Sequence, residues 1–92
     1  NRVTEYAKNI ANKYVLEEEW KMVEIIGSQL LSWNKYDDDG MRLAVLGNKK
    51  LEKNAMAHKI YLDFINDYKN EIGETYPISY DNVILNQIKG DT

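Results

Sequence analysis

Apolar side chains recur every three or four positions along most of this chain, a spacing typical of α-helices that pack by one face. One stripe runs over residues 3–14. A second predicted helix covers residues 17–36, where three glutamates at 17–19 precede the apolar stripe. The longest stripe covers residues 55–72 and a shorter one covers residues 80–89. Since the chain has only one proline, the pattern predicts an all-α, mainly helical bundle of about four helices.

Short polar residues and glycines mark the expected ends of these helices. Asn54 is expected to cap the longest helix, and Gly73 to close it in a left-handed conformation. Ser79 is expected to cap the last helix and Gly90 to end it. The first two stripes have an alternative interpretation, which is a single long helix over residues 3–36 that bends at their junction.

The sequence leaves the structure of residues 41–53 open. Met41, Leu43 and Val45 alternate along the chain, and Gly47 begins a turn signal, so the pattern favours a short hairpin or an irregular connection. The rival interpretation is a short third helix that ends at Gly47.

An acidic run precedes this open segment. Gly40 is expected to end the second helix, and the three aspartates at 37–39 are expected to lie in the loop, because acids are unfavourable at the negative end of a helix. Their spacing does not match a calcium-binding loop, since its first and twelfth positions would fall on Lys35 and Leu46.

Packing expectations follow from the stripes. Gly27 lies in the middle of the second predicted helix and would let another helix approach closely. The longest helix is expected to pack on the first two, so that one core joins Ile60, Tyr61, Phe64 and Tyr68 to Ile10, Val23, Ile26 and Leu30.

Charge is distributed unevenly along the chain, whose formal net charge is −3. Residues 41–59 contain five basic residues and one acid, whereas the rest of the chain contains seven basic and fourteen acidic residues. This asymmetry indicates either a patch that faces phosphates or a solvated loop between helix ends. The candidate nucleic-acid contacts are Arg42, Lys49, Lys50, Lys53 and Lys59.

No residue pattern points to catalysis. Cysteine is absent, which excludes disulfides and thiolate metal sites. The single histidine, His58, has no candidate nucleophile, and Asp63, Asp67 and Glu71 fit the solvated face of a helix. We therefore predict a protein that is not an enzyme, with no catalytic residue, no metal and no cofactor.

Aromatic residues are frequent, with seven tyrosines and two tryptophans. Most lie on the apolar stripes and are expected in the core. Trp33 and Tyr36 lie beside the acidic run and are the candidate residues for a protein interface.

The chain is expected to form one helical domain over residues 1–92. No apolar run approaches the length of a membrane span and the start does not resemble a secretory signal, so a cytoplasmic protein without a membrane partner is expected. The chain does not begin with methionine, which suggests either a trimmed chain or a domain excised from a longer protein.

Over about residues 5–73, the order of these features resembles one family of phage terminase small subunits. That family has a long helical pair, a glycine-bearing and lysine-rich loop, and a further helix that ends in glycine. The matching pieces here are Glu19-Trp20 through Tyr36, then Gly40 and Gly47-Asn48-Lys49-Lys50, then Lys53-Asn54, and finally Ile60 to Gly73.

Two positions depart from the family pattern. The proline that follows the asparagine in the family is Ala55 here, and the leucine that follows the closing glycine is Glu74. The tail from Tyr76 onward has no counterpart in the resemblance.

The resemblance implies a non-enzymatic phage DNA-packaging protein in the host cell cytoplasm. Such a protein would bind duplex DNA, assemble into a homo-oligomer and present the DNA to a motor-nuclease large subunit. The alternative class is a small helical protein–protein interaction module, such as an adaptor, an inhibitor or an oligomerisation domain, without DNA binding.

Overall fold

The computed structural model describes the backbone of residues 2–89 and the side chains of residues 2–84. Over this range the fold is all-α, as predicted, with no strand. None of the described helices is long and apolar enough to cross a membrane. The five described helices are α1 (Arg2–Leu16), α2 (Trp20–Trp33), α3 (Asp38–Lys50), α4 (Asn54–Ile72) and α5 (Tyr80–Lys89).

Residues 17–19 separate α1 from α2, so the alternative of one bent helix is wrong. Glu18 takes a left-handed conformation with φ 57°, and the amide of Glu19 donates to the carbonyl of Tyr14 at 2.9 Å. This arrangement reverses the chain in the way that a glycine usually does after a helix. The sequence suggested that the three glutamates form the first turn of the second helix. In the structure they lie in the connection before α2 instead.

The third helix corrects the expectation for residues 41–53, where neither a hairpin nor an irregular connection forms. Asp37 is the N-cap, and its Oδ1 accepts a hydrogen bond from the amide of Gly40 at 2.9 Å. Asp38 and Asp39 form the first turn of α3, where the helix dipole favours acids. The aspartates therefore begin a helix, and Gly40 lies inside it instead of ending α2.

The alternation in this segment misled because α3 is buried on nearly all sides. Residues 43–48 are all buried, together with Gly40 and Met41. Between Gly40 and Asn48 only Arg42 is not buried, so apolar residues occupy alternate positions there, a pattern that also fits a strand. The rival third helix was closer to the structure, but α3 passes through Gly47 and ends at Lys50.

Close contact between α2 and α3 explains the glycines within them. A Cβ atom on Gly27 would lie 2.4 Å from the backbone nitrogen of Ala44, and one on Gly47 would lie 2.7 Å from the backbone nitrogen of Glu24. The two backbones therefore touch, and the prediction that Gly27 lets a helix approach is confirmed.

The ends of α4 and α5 agree with the sequence in most respects. Gly73 takes the left-handed conformation with φ 85°, and Ser79 Oγ accepts a hydrogen bond from the amide of Asn82 at 3.2 Å. Asn54 is the first residue of α4 and not its cap, which is Lys53. The predicted end at Gly90 lies outside the described residues.

The hydrophobic interior consists of two clusters and not the single core that was expected. Because α3 packs against each of the other four helices, the buried apolar side chains of α2 and α4 lie in different clusters, and Leu31 of α2 packs at the edge of the α4 cluster. The first cluster contains Ala11, Val23, Leu30 and Leu43. The second contains Met41, Val45, Ala57, Tyr61, Phe64, Tyr76 and Val83.

Candidate nucleic-acid interface

Three residues, 51–53, connect α3 to α4, which is the length typical of a helix-turn-helix unit. Glu52 takes a left-handed conformation with φ 63°. The amide of Lys53 donates to the carbonyl of Asn48 at 2.8 Å, and that of Leu51 donates to the carbonyl of Gly47 at 3.0 Å. These backbone hydrogen bonds hold the start of α4 directly against the end of α3.

Three of the predicted phosphate contacts meet at this connection, which we call the lysine turn: Lys49, Lys50 and Lys53. All three are exposed, and none forms an ion pair with another described residue. The Nζ of Lys50 lies 5.3 Å from the centre of the Trp20 ring. Lys53 also precedes α4, whose N-terminal amides add a partial positive charge.

Lys59 lies on the second turn of α4. Its Nζ is 2.7 Å from Asp63 Oδ2, and both side chains are exposed. Pairs of this kind contribute only a few tenths of a kcal/mol, roughly 0.3–0.5 kcal/mol, so a phosphate can compete for the lysine. The neighbouring His58 is exposed and its ring centre lies 4.9 Å from that of Tyr80.

The structure separates Arg42 from the lysine turn. Its Nε lies 3.2 Å from Asp38 Oδ2, in an ion pair without a hydrogen bond, since the buried Nε forms none with a described residue. Burial lowers the pKa of the Arg42 guanidinium, but its contacts with Tyr76 and Asp38 outweigh that effect and the net pKa is raised. The charge of Arg42 is therefore used inside the fold, where it contacts Asp38 and Tyr76.

The three aspartates at the start of α3 are also partnered, in what we call the aspartate cluster. The Nζ of Lys8 lies 3.4 Å from Asp37 Oδ1 and 3.1 Å from Asp39 Oδ2. The Tyr76 hydroxyl donates a short hydrogen bond to Asp38 Oδ1. Burial, followed by the carboxylate of Asp38, raises the pKa of Tyr76. These contacts connect α1, α3 and the segment before α5.

Acids border the lysine turn and limit its extent. Glu52 lies within the turn, and residues 17–19 immediately precede Trp20, whose ring Lys50 approaches. A phosphate would therefore meet a favourable charge over the end of α3 and the start of α4 and a less favourable one towards the α1–α2 connection.

The predicted interface residues lie on a different surface. Trp33 is the last residue of α2 and is 53% exposed. The Tyr36 hydroxyl lies 3.5 Å from Glu71 Oε2, and the Nζ of Lys35 lies 5.3 Å from the Tyr36 ring centre. Since Trp20 at the opposite end of α2 contacts the lysine turn, the length of the helix places Trp33 about 20 Å away from it.

Sequence reasoning missed two features of the surface. The helix-turn-helix connection was hidden because residues 41–53 were interpreted as a hairpin, although acids at the start of α3 and lysines at its end are a helix signal. The second feature is an apolar groove beside α4, which involves residues from the tail that had no assigned role.

These observations define a small all-α domain with a short helix–helix connection and an exposed basic turn. Within the described residues, no group of histidine and acidic side chains could hold a metal ion. Comparison with protein families, with curated proteins and with solved structures finds no match. The function of the domain is therefore inferred from its geometry.

Proposed function

We propose that this protein is a non-enzymatic DNA-binding module that contacts the phosphates of duplex DNA through the lysine turn. The observation that carries this proposal is the meeting of Lys49, Lys50 and Lys53 at one three-residue connection, exposed and without ion pairs among the described residues. Lysine ammonium groups that neutralise phosphates release bound counterions, which drives association even on a chain with a net negative charge.

The position of the lysine turn suggests how α4 would lie on DNA. In helix-turn-helix proteins, the N-terminal residues of the second helix reach base edges in the major groove while neighbouring groups contact the backbone. Here the corresponding exposed residues are Asn54, His58 and Lys59. The lysine turn would fix the position of α4 on the phosphates, and these three side chains would face the groove.

The resemblance to terminase small subunits gives the proposal a biological setting. In that setting the protein belongs to a phage, assembles with copies of itself and presents packaging DNA to the large subunit. Trp33 and Tyr36 would contribute the surface for the protein partner, since Trp33 lies about 20 Å from the lysine turn and leaves that turn free for DNA.

The test is a titration of duplex DNA at several salt concentrations, with the parent and a variant in which Lys49, Lys50 and Lys53 are glutamine. We expect weaker binding and a slope of log affinity against log salt that is smaller by roughly two to three, because each lost phosphate contact contributes about 0.9 to the slope.

A matched control removes three other positive charges, at Arg2, Lys21 and Lys35, which are exposed and lie on α1 and α2 and in the connection after α2. We expect this variant to retain most of the salt slope. A lysine-turn variant with the slope of the parent would reject the turn as the contact surface, and a parent that binds no duplex at low salt would reject the DNA-binding proposal.

Exposed apolar side chains favour a second candidate, a helical protein–protein interaction module without DNA binding. The described structure exposes eight large apolar side chains by 45% to 69%, and a protein partner could cover some of them. This candidate predicts that the parent ignores duplex DNA at all salt concentrations. The eight are Val3, Tyr6, Leu16, Ile25, Trp33, Met56, Leu62 and Ile72.

A further inference from the structure

Trp20 begins α2, and the packing of α2 on α3 places it beside the last residue of α3. The two helices run antiparallel, and their backbones touch where Gly47 of α3 meets Glu24 of α2. Trp20 lies about one turn before Glu24, and Lys50 lies about one turn after Gly47. The Trp20 side chain is half-buried and packs against the first cluster. The fold therefore holds this ring next to the lysine turn.

The Trp20 ring contacts the ammonium group of Lys50. Its centre lies 5.3 Å from the Lys50 Nζ, within the ~6 Å over which the face of an indole ring attracts a cation. Three exposed glutamates at 17–19 precede Trp20, yet Lys50 forms no ion pair with any of them. Lys50 thus lies on the ring and not on a carboxylate of the α1–α2 connection.

An aromatic ring orders an ammonium group without neutralising it. Asp63 pairs with Lys59 on an exposed surface. Asp38 pairs with Arg42 at the other end of α3, so both of these cations have a carboxylate partner. An indole ring carries no net charge, and a lysine ammonium group has three N–H donors, so Lys50 retains its charge and free donors for a phosphate.

We propose that Trp20 is a positioning residue of the DNA-binding site, because its ring holds the Lys50 ammonium group at the lysine turn in an ordered and charged state. This proposal deepens the proposed function and rests on it. A lysine side chain loses rotamer freedom when it binds a phosphate, and a ring that already restricts Lys50 reduces that loss. The ring also keeps the ammonium group from pairing with the glutamates at 17–19.

The test compares duplex DNA binding by the parent and by Trp20→Leu. Leucine retains an apolar side chain against the first cluster but lacks an aromatic face, and circular dichroism checks that the variant folds. We expect binding to be about two- to fivefold weaker, the range that corresponds to an exposed cation–π contact. In a chain that already carries Lys50→Gln, Trp20→Leu should cause no further loss, because no cation remains for the ring to hold.

Two further variants separate positioning from packing. Trp20→Phe should bind more tightly than Trp20→Leu, because a phenyl face also attracts a cation. Tyr6→Leu removes an aromatic ring that is 69% exposed on α1 and should bind DNA like the parent. An equal loss from Trp20→Leu with and without Lys50→Gln would show that the ring only supports the fold, and the absence of any loss would also overturn the positioning role.

The contact between the ring and Lys50 is measured separately, without DNA. The NMR signals of the Lys50 ε-methylene protons should lie upfield of those of Lys49, which has no ring contact among the described residues, because of the Trp20 ring current. Trp20→Leu should abolish this difference. Identical signals for the two lysines in the parent would overturn the proposal.

Failure of the proposed function gives a different result. A parent that binds no duplex DNA at low salt rejects the DNA-binding site and the positioning role together. A parent that binds duplex DNA, but no better than Trp20→Leu, rejects the positioning role alone.

Discussion

The two ends of α3 carry opposite charges and differ in how those charges are partnered. At the first turn, Asp38 is held between Arg42 and the hydroxyl of Tyr76. At the last turn and just beyond it, Lys49 and Lys53 reach solvent without an ion pair among the described residues. The comparison shows that charge density along the sequence does not identify a binding surface. A charge that the fold already neutralises holds helices together, whereas one left unpaired is available to a partner.

The largest loss of stability is expected from removal of the side chain that packs on Tyr76, the partner of Asp38. Phe64 is buried and its ring centre lies 5.2 Å from that of Tyr76. Phe64→Ala should lower the free energy of unfolding by about 3–5 kcal/mol, because it leaves a cavity in the second cluster. Chemical denaturation followed by circular dichroism measures this loss. A loss below about 1 kcal/mol would contradict the described burial of this ring.

Removing the central carboxylate should have a smaller effect. Asp38→Ala leaves both Arg42 and Tyr76 without their partner, so we expect a loss of about 1–2 kcal/mol in the free energy of unfolding. Asp63→Ala is the matched control, because it also removes an aspartate four residues from its cation, but on an exposed surface. Its loss should stay near about 0.3–0.5 kcal/mol. Equal losses would show that the aspartate cluster is no more than a surface ion pair.

The pH dependence of stability sharpens the comparison further. The pKa of Tyr76 is raised in the folded chain, mainly by burial and then by Asp38. Above about pH 10 the unfolded chain releases this proton while the folded chain retains it, so the free energy of unfolding should fall as pH rises. The pKa values of Lys8 and Arg42 are also raised, which acts in the same direction.

Comparison of two tyrosine variants isolates the contribution of Tyr76. Tyr76→Phe should flatten the fall in stability between about pH 9.5 and pH 11.5, whereas Tyr6→Phe, at an exposed position, should follow the parent. Thermal unfolding over this pH range measures both. If the stability of Tyr76→Phe and of the parent falls equally with pH, Tyr76 does not cause the pH dependence.

The smallest expected change in stability lies at the unpaired end. Replacement of Lys49, Lys50 and Lys53 by glutamine should alter the free energy of unfolding by less than about 1 kcal/mol, because exposed charges contribute little to folding. The same variant should show the reduced salt slope for DNA. If it unfolds readily instead, the lysines support the fold and their role at the surface must be reconsidered.

The sequence by itself determined the helices that have one solvent-exposed face and one buried face. The stripes of α1, α4 and α5 were visible because solvent and core select different residues on opposite sides of such helices. Gly73 and Ser79 marked helix ends through local backbone chemistry, which needs no distant partner. The excess of lysine before α4 was likewise a property of adjacent residues.

Only the tertiary structure decided what required residues far apart in the chain. Burial of the middle of α3 put apolar residues at alternate positions, which the sequence alone could equally assign to a strand. Tyr76 is 38 residues from Asp38, so no local pattern could show that this tyrosine joins the Asp38–Arg42 pair, whereas Lys49 and Lys50 form no ion pair among the described residues. Side-chain partners and surface separation depend on how helices pack, and packing is set by the whole chain rather than by any one of its segments.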